Sequence, residues 1–224
     1  MKGSGRAELR EIDRWDDGVG WIAYPEEDMQ RASHAVVGED GGVWVTDPVD
    51  APGVDDLIAE YGDLEGIVIL LDRHKRDADA IARRHEVPVY VPHWMSGVAS
   101  ELDAPVERIR TDLESSGYGV YKLKDNALWQ EAVMFGEADH TLIVPEAVGS
   151  AEYFYTGDRP LGVHPALRLM PPRKLARFDP ERILVGHGEG VFEDAQGALA
   201  DALDNARKGA PRLYAKTARS MLFG

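Results

Sequence analysis

Residues 67–71 form an unbroken apolar run rich in β-branched side chains, and this run constrains the possible folds most. A run so short and so apolar is typical of a strand that is buried on both faces. Six polar or charged residues follow it directly, and a helical pattern then begins at Ala78. A buried strand that leads through polar side chains into a helix is a common way to build a site at a strand end.

The polar segment offers groups that bind metal ions. Asp72 and Asp77 carry hard oxygen ligands and His74 carries an imidazole nitrogen, so the three could hold a divalent cation. The alternative is structural: charged loops after strands are often solvated, and Asp77 could simply cap the next helix.

Periodicity predicts a single mixed domain over residues 1–224. The apolar patterns predict helices over residues 54–61, from Ala78 onward, and over residues 194–208 with Gly209 just beyond the last turn. Hairpins, a βαβ unit and further hairpins alternate along the chain, an order that fits helices outside mostly antiparallel sheets. The predicted strands cover residues 19–23, 33–38, 43–46, 67–71, 87–91, 119–123, 128–135, 141–144, 153–155 and 183–185.

Two later strand ends also carry residues that bind metals. Asp158 follows the predicted strand at residues 153–155, and His187 follows the one at residues 183–185. Strand ends from distant parts of a chain can converge to assemble a metal site. We therefore expect Asp72, His74, Asp158 and His187 to lie close together.

These motifs resemble the signature of the metallo-β-lactamase superfamily, in the branch of small hydroxyacylglutathione-hydrolase-like proteins. The resemblance runs from about Ser33 to Asp194. It rests on an early strand that ends at Asp47, on the segment Asp72-Arg73-His74-Lys75-Arg76-Asp77 in place of His-x-His-x-Asp-His, on Thr156-Gly157-Asp158, and on Gly186-His187-Gly188. The resemblance implies an α+β fold, the four-layer αβ/βα sandwich, with a site that holds one or two Zn²⁺, Fe or Mn ions and activates water for hydrolysis.

The central motif departs from the family pattern. Asp replaces His at positions 72 and 77, which a zinc or manganese site can tolerate, whereas position 76 is Arg where the family has an Asp that binds the second metal. A guanidinium stays protonated and cannot be a ligand. We therefore expect one metal ion at most.

The third family motif is eroded around residues 136–141. Alignment on Gly136 puts Glu137 in the ligand position, and alignment on the His-Thr pair puts His140 there. The sequence leaves both choices open.

Composition limits the partners and the compartment. The chain has 40 acidic and 25 basic residues, a net charge of -15 and no cysteine, which excludes disulfides and thiolate ligands. It lacks a basic stripe that would neutralise phosphates, which argues against a nucleic-acid partner.

No apolar run is long enough to span a membrane and no secretory signal is visible, so we expect a soluble cytoplasmic protein. The acidic, Lys-poor composition indicates a halophilic cytoplasm.

We expect the protein to need salt or a divalent ion to stay folded, so molar KCl should raise the midpoint of thermal unfolding. A net charge of -15 adds self-repulsion to the compact state, and salt screens that repulsion. Thermal melts at low salt and in molar KCl test this expectation, and an unchanged or lower midpoint in high salt would contradict it.

Three functional hypotheses follow from the sequence. The first is a divergent hydrolase with one metal, Zn²⁺ or else Mn or Fe, held by some of the predicted ligands, with Asp77 as the base and a small ester, thioester or lactone as substrate. The second is a metal-free protein in which Arg73, Lys75 and Arg76 pair with nearby carboxylates or bind a small anion. The third is a structural or assembly role. A homodimer is compatible with all three.

Overall fold

The computed structural model describes residues 5–155 and 159–223, and it describes side chains up to Tyr214. Thr156, Gly157 and Asp158 therefore lie outside the described residues, so the predicted ligand Asp158 is not placed.

The strands of the first sheet lie side by side in the same order in which they occur in the chain. Strands β1 to β4 pair antiparallel, and the pairs from β4 to β7 are parallel. The bounds are β1 Arg10–Trp15, β2 Gly18–Ile22, β3 Ala32–Val37, β4 Val43–Thr46, β5 Leu64–Val68, β6 Val89–Pro92 and β7 Val106–Ile109.

Helices connect the parallel strands of this sheet. Helix α1 (Val54–Ala59) joins β4 to β5, α2 (Ala78–His85) joins β5 to β6, and α3 (Ser96–Ala99) joins β6 to β7. Parallel neighbours require such crossovers, because a short hairpin can only reverse the chain.

The second sheet is built from later strands. Strands β8 (Tyr118–Asn126), β9 (Trp129–Gly136) and β10 (Thr141–Val144) pair antiparallel, and β13 (Arg182–Val185) lies parallel to β10. A small pair, β11 (Val148–Gly149) with β12 (Gly162–Val163), follows β10 in the chain. Helix α4 (Ala195–Phe223) packs over this half of the molecule against β12 and β13.

The second sheet is buried on both faces, as its alternating side chains demonstrate. In β10, Leu142 and Val144 belong to the core under α4, whereas Ile143 belongs to the core shared with the first sheet and with α1 and α2. In β13, Ile183 and Leu184 divide in the same way, as the period of two in a strand requires. The layers are therefore helix, sheet, sheet, helix, which is the predicted four-layer αβ/βα sandwich.

The central apolar run extends beyond β5. All of residues 67–71 are fully buried, but the chain leaves the first sheet after Val68. Leu71 then forms a bridge with Glu131, and Leu70 accepts a hydrogen bond from Ala132 N. The run thus connects the two sheets before it enters the polar segment.

Two predicted elements differ from the structure. The predicted strand at residues 153–155 is a 3-10 helix, Glu152–Phe154. The last helix continues past Lys208 to Phe223, so Gly209 lies inside the helix and is not its C-terminal cap. A Cβ at Gly209 would lie 2.7 Å from Nη1 of Arg168, so this glycine makes room for a buried guanidinium.

Membrane-spanning helices are not found within the described residues, where no helix combines the required length with the required apolarity.

Candidate metal centre

Four strand ends bring polar side chains to the junction of the two sheets. Asp47 follows β4, His74 follows the central apolar run, Glu146 follows β10, and His187 follows β13. Because β10 and β13 are parallel neighbours, Glu146 and His187 leave the second sheet at the same edge.

Glu146 lies at the centre of this group, and its side chain is 8% exposed. Its Oε2 lies 3.0 Å from Nε2 of His74 and 3.0 Å from Nε2 of His187. Its Oε1 lies 3.2 Å from Nε2 of His164. One buried carboxylate therefore contacts three imidazoles.

The first-sheet segment before β3 orients His187. Nδ1 of His187 lies 2.8 Å from the carbonyl oxygen of Met29. A carbonyl can only accept, so we assign the proton to Nδ1. In the neutral ring, Nε2 then carries a lone pair that points at Glu146.

Asp47 orients His74 in the same way. Nδ1 of His74 donates to Oδ2 of Asp47 over 3.1 Å, and Oδ1 of Asp47 accepts from Leu70 N over 3.0 Å. This arrangement leaves the Nε2 lone pair of His74 aimed at Glu146.

His164 differs from the other two histidines. Its Nδ1 accepts a hydrogen bond from Ala166 N over 3.1 Å, so its proton lies on Nε2 and is donated to Oε1 of Glu146. This hydrogen bond turns Oε2 of Glu146 toward His74 and His187.

The converging lone pairs fit a metal ion. Two Nε2 lone pairs and Oε2 of Glu146 face one another, and the three ligand atoms lie within 4.8 Å of one another. Ligands about 2.0–2.2 Å from a tetrahedral zinc lie roughly 3.3 Å apart, close to the spacing seen here. Oriented Nδ1–H groups on the far sides of both rings are the usual outer shell of metal-bound histidines.

The balance of charge also favours a cation. Asp47 and Glu146 contribute two carboxylates to the buried group and Arg76 contributes one guanidinium. Burial raises the pKa of Glu146, but the hydrogen bond from His164 and the close contacts with His187 and His74 outweigh that effect and hold the pKa well below its usual range. Burial lowers the pKa of His187, so an additional proton on that ring is disfavoured.

Glu131 supports the backbone of Glu146. It is fully buried, its Oε1 accepts from Glu146 N over 3.0 Å and from Ala147 N over 2.7 Å, and its Oε2 accepts from Nε1 of Trp129 over 2.7 Å. Burial raises the pKa of Glu131 to about 7, against the opposing effect of these donors. The carboxylate thus fixes the turn that aims Glu146.

We expect Glu131→Gln to lower the unfolding midpoint and to weaken zinc binding about 10–100-fold, the usual cost of losing an outer-shell partner. The amide oxygen can still serve both backbone N–H groups, but the amide NH₂ then faces the N–H of Trp129, and an unsatisfied buried donor costs about 1–3 kcal/mol. Thermal melts and calorimetry measure both effects. Adding Trp129→Phe removes the clashing donor and should restore most of the loss; no recovery would contradict this account.

Arg76 lies beside His74 in a cradle of carbonyl oxygens. Its Nη1 donates to Ala32 O over 2.5 Å and to Asp47 O over 2.7 Å, and its Nη2 donates to Gly186 O over 2.9 Å. Nη2 also lies 3.5 Å from Nε2 of His74. Burial lowers the pKa of Arg76 to about 10, which leaves the guanidinium protonated at neutral pH.

Backbone conformations around the group are strained. Asp47 and Arg76 have φ angles of 44° and 43°, in the left-handed region that costs non-glycine residues about 1 kcal/mol or more. Gly186 allows a close approach, because a Cβ there would lie 2.2 Å from Pro145 O. This approach brings His187 beside Glu146.

The structure brings together three of the predicted site residues, namely His74, Arg76 and His187. Asp72 and Arg73 contact the second sheet instead: Oδ2 of Asp72 accepts from Gln130 N over 3.0 Å, and the Arg73 guanidinium lies 4.2 Å from the ring centroid of Trp129. The reason is the crossing of the central run to β9, which carries the start of the polar segment away from the cluster.

Lys75 and Asp77 also have other partners. Nζ of Lys75 pairs with Glu101 over 2.8 Å. Oδ2 of Asp77 accepts from Asp50 N over 2.9 Å, and its side chain does not cap α2. A role for Asp77 as a base stays a prediction.

Glu137 and His140 lie in the turn before β10, whereas Glu146 and His187 follow β10 and β13. The two positions are thus at opposite ends of the second sheet. Nδ1 of His140 lies 3.0 Å from Asp179 O, and Glu137 is exposed. The residue of the metal cluster in this region is Glu146, which follows β10. Glu137 and His140 are distant from the cluster because the whole strand β10 lies between them and Glu146.

Sequence reasoning missed Glu146 and His164. Glu146 follows a buried strand at its carboxyl end, which is the same signal that singled out His74 and His187. His164 follows the two-residue strand β12, which is too short to give a pattern.

Solved structures with this fold are similar to the chain along most of its length. The DIM-1 metallo-β-lactamase exposed to ceftazidime has a TM-score of 0.66 and 13% identity, covering 93% of this chain and 99% of that one. A metallo-β-lactamase from Pontibacter korlensis has a TM-score of 0.64 and 13% identity, covering 88% and 100%. The flavodiiron protein from Giardia intestinalis has a TM-score of 0.63 and 13% identity, covering 92% and 61%.

Comparisons of sequence give no match: no protein-family model matches the chain, and no curated protein does. The structural neighbours and the observed layers agree with the fold that the motifs implied. The chain has the metallo-β-lactamase fold.

Proposed function

We propose that this protein is a divergent hydrolase of the metallo-β-lactamase fold that binds one divalent metal ion through His74, Glu146 and His187. The observation that carries the proposal is the pair of imidazole Nε2 atoms, each 3.0 Å from the same carboxylate oxygen. Two histidines and a glutamate are a ligand set found in catalytic zinc sites, which keep a further position for water. The metallo-β-lactamases among the structural neighbours support a hydrolytic reaction.

The metal would lower the pKa of a bound water and so supply the nucleophile. Asp47 and Met29 hold the protons of His74 and His187 on Nδ1, which keeps both Nε2 atoms free for the metal. His164 holds a proton on Nε2 beside Glu146 and fixes the direction of that carboxylate.

Arg76 supports a limit of one ion. Position 76 is where the resemblance places a ligand for a second metal ion, and the guanidinium that stands there stays protonated and cannot be a ligand. The metal ion itself stays open among zinc, manganese and iron, because imidazole and carboxylate suit all three.

Several finer expectations remain proposals. We propose a small ester, thioester or lactone as the substrate, in keeping with the hydroxyacylglutathione-hydrolase-like resemblance. We propose a cytoplasmic, halophilic setting, no nucleic-acid or membrane partner, and a chain that works alone or as a homodimer.

Metal analysis and calorimetry test the proposal. Protein purified without added ions should contain up to one equivalent of metal, and the chelated protein should bind one equivalent of Zn²⁺ or Mn²⁺. Hydrolysis of a panel of esters, thioesters and lactones should appear with the metal and vanish without it. A protein that binds no metal would overturn the proposal and favour the metal-free alternative, a scaffold that binds a small anion or has an assembly role.

A further inference from the structure

A second polar site, lined by residues other than those of the metal cluster, is a pocket of about 270 Å³ between α4 and the segments around β12. Among the described residues that line this pocket, four are basic and none is acidic, in a chain whose net charge is -15. We call it the arginine pocket and define it by its polar and glycine lining: Arg159, Arg168, Asn205, Lys208, Gly209 and Arg212.

Arg168 forms the floor of the arginine pocket, and it is 5% exposed. Its Nε donates to Val163 O over 3.1 Å, its Nη2 donates to Phe154 O, and its Nη1 makes a long contact of 3.5 Å with Ala206 O. These partners are neutral carbonyls. Within the described residues no carboxylate pairs with this guanidinium, so its buried charge lacks a counter-ion.

One face of α4 supplies the other polar residues of the pocket. Asn205, Lys208, Gly209 and Arg212 follow the spacing of three and four residues that places side chains on one side of a helix. Gly209 leaves the space that Nη1 of Arg168 occupies. Among the described residues, no ion pair joins Lys208 or Arg212 to an acidic group, whereas Arg159 is paired with Asp201.

We propose that the arginine pocket binds a small phosphorylated molecule. A recessed volume lined by a buried guanidinium and by a lysine and an arginine of α4 presents several charged donors to a tetrahedral dianion. Tyr155 and Leu161 also line the pocket and would contact the organic part of such a ligand. The residues that line the pocket differ from those of the metal cluster, so binding in the pocket and metal binding can be measured separately.

Calorimetric titration with inorganic phosphate and with glycerol phosphate, at matched ionic strength against chloride, tests the proposal. Wild type should bind both phosphates, and the Lys208→Gln/Arg212→Gln variant should bind them at least about 10-fold more weakly. Arg83→Gln is the matched control: it removes an exposed charge on α2 that is paired with Asp79, and it should bind as wild type does. Equal binding by the double variant would overturn the proposal.

Further measurements distinguish phosphate binding in the arginine pocket from a structural role, from binding at the metal centre and from binding to lipid. Without phosphate, the double variant should melt no lower than wild type, since it removes unpaired like charges, and a lower midpoint would indicate a structural role instead.

Phosphate could also bind a metal ion, so the Glu146→Gln variant should keep its phosphate affinity; loss there would assign the anion to the metal centre. If the protein binds phosphatidic-acid vesicles and does not bind glycerol phosphate, its ligand is a lipid surface and not a small phosphorylated molecule, and the proposal is overturned.

Discussion

Glu146→Gln is expected to weaken zinc binding by more than about 100-fold while the metal-free protein stays as stable as wild type. Loss of an outer-shell partner alone costs about 10–100-fold, and here a ligand itself is removed. The amide is a weak ligand, but its NH₂ group can donate to the two Nε2 lone pairs that lie 3.0 Å from the carboxylate oxygen in wild type. The substitution thus satisfies the histidines in place of a metal ion.

This result distinguishes a cluster that a metal ion holds together from one that protons hold together. If protons do so, His74 and His187 are both imidazolium, and removal of the carboxylate leaves buried positive charges beside Arg76. The metal-free Glu146→Gln protein would then melt well below wild type. If a metal ion holds the cluster, the variant melts like metal-free wild type and loses only the stabilisation that zinc adds.

Calorimetry with Zn²⁺ and thermal melts with and without EDTA are the measurements. Glu137→Gln is the matched control, because Glu137 is exposed in the turn before β10 and makes the same change of charge. We expect this control to bind zinc as wild type does. Tight zinc binding by Glu146→Gln would remove Glu146 from the ligand set.

The fold could be predicted from the sequence because its signals are local. The apolar runs at residues 67–71 and 183–185 and the amphipathic pattern of α2 each depend on near neighbours in the chain. The predicted carboxyl end of α4 at residue 208 was wrong, because the preference for glycine just after a helix applies where the helix end is free. Gly209 instead leaves space for the guanidinium of Arg168, which is distant in sequence and close in space.

The candidate site was predicted only in part because its geometry is nonlocal. His74 and His187 follow recognisable strands, so the sequence singled them out. Glu146 has the same strand-end position, but its place beside His187 depends on the pairing of β10 with β13, and His164 gains its role only from Glu146. The family pattern also drew attention to the turn before β10 rather than to the residue after it.

Arg76→Asp is expected to raise the number of bound zinc ions from one to two and to make stability depend on metal. The guanidinium of Arg76 donates to the carbonyl oxygens of Ala32, Asp47 and Gly186, and its loss removes three charge-assisted hydrogen bonds, each worth about 1 kcal/mol or more. A carboxylate in the same place adds repulsion. Metal-free Arg76→Asp should therefore be less stable than wild type by at least about 3 kcal/mol.

A cation relieves both defects, because it replaces the lost positive charge and takes the new carboxylate as a ligand. Zinc should consequently raise the melting midpoint of Arg76→Asp far more than that of wild type. Arg73→Asp is the control: it makes the same change of charge in the same loop, where the guanidinium stacks on Trp129, and it should leave the stoichiometry at one. If wild type already binds two equivalents tightly, Arg76 does not exclude a second ion, and the single-metal assignment fails.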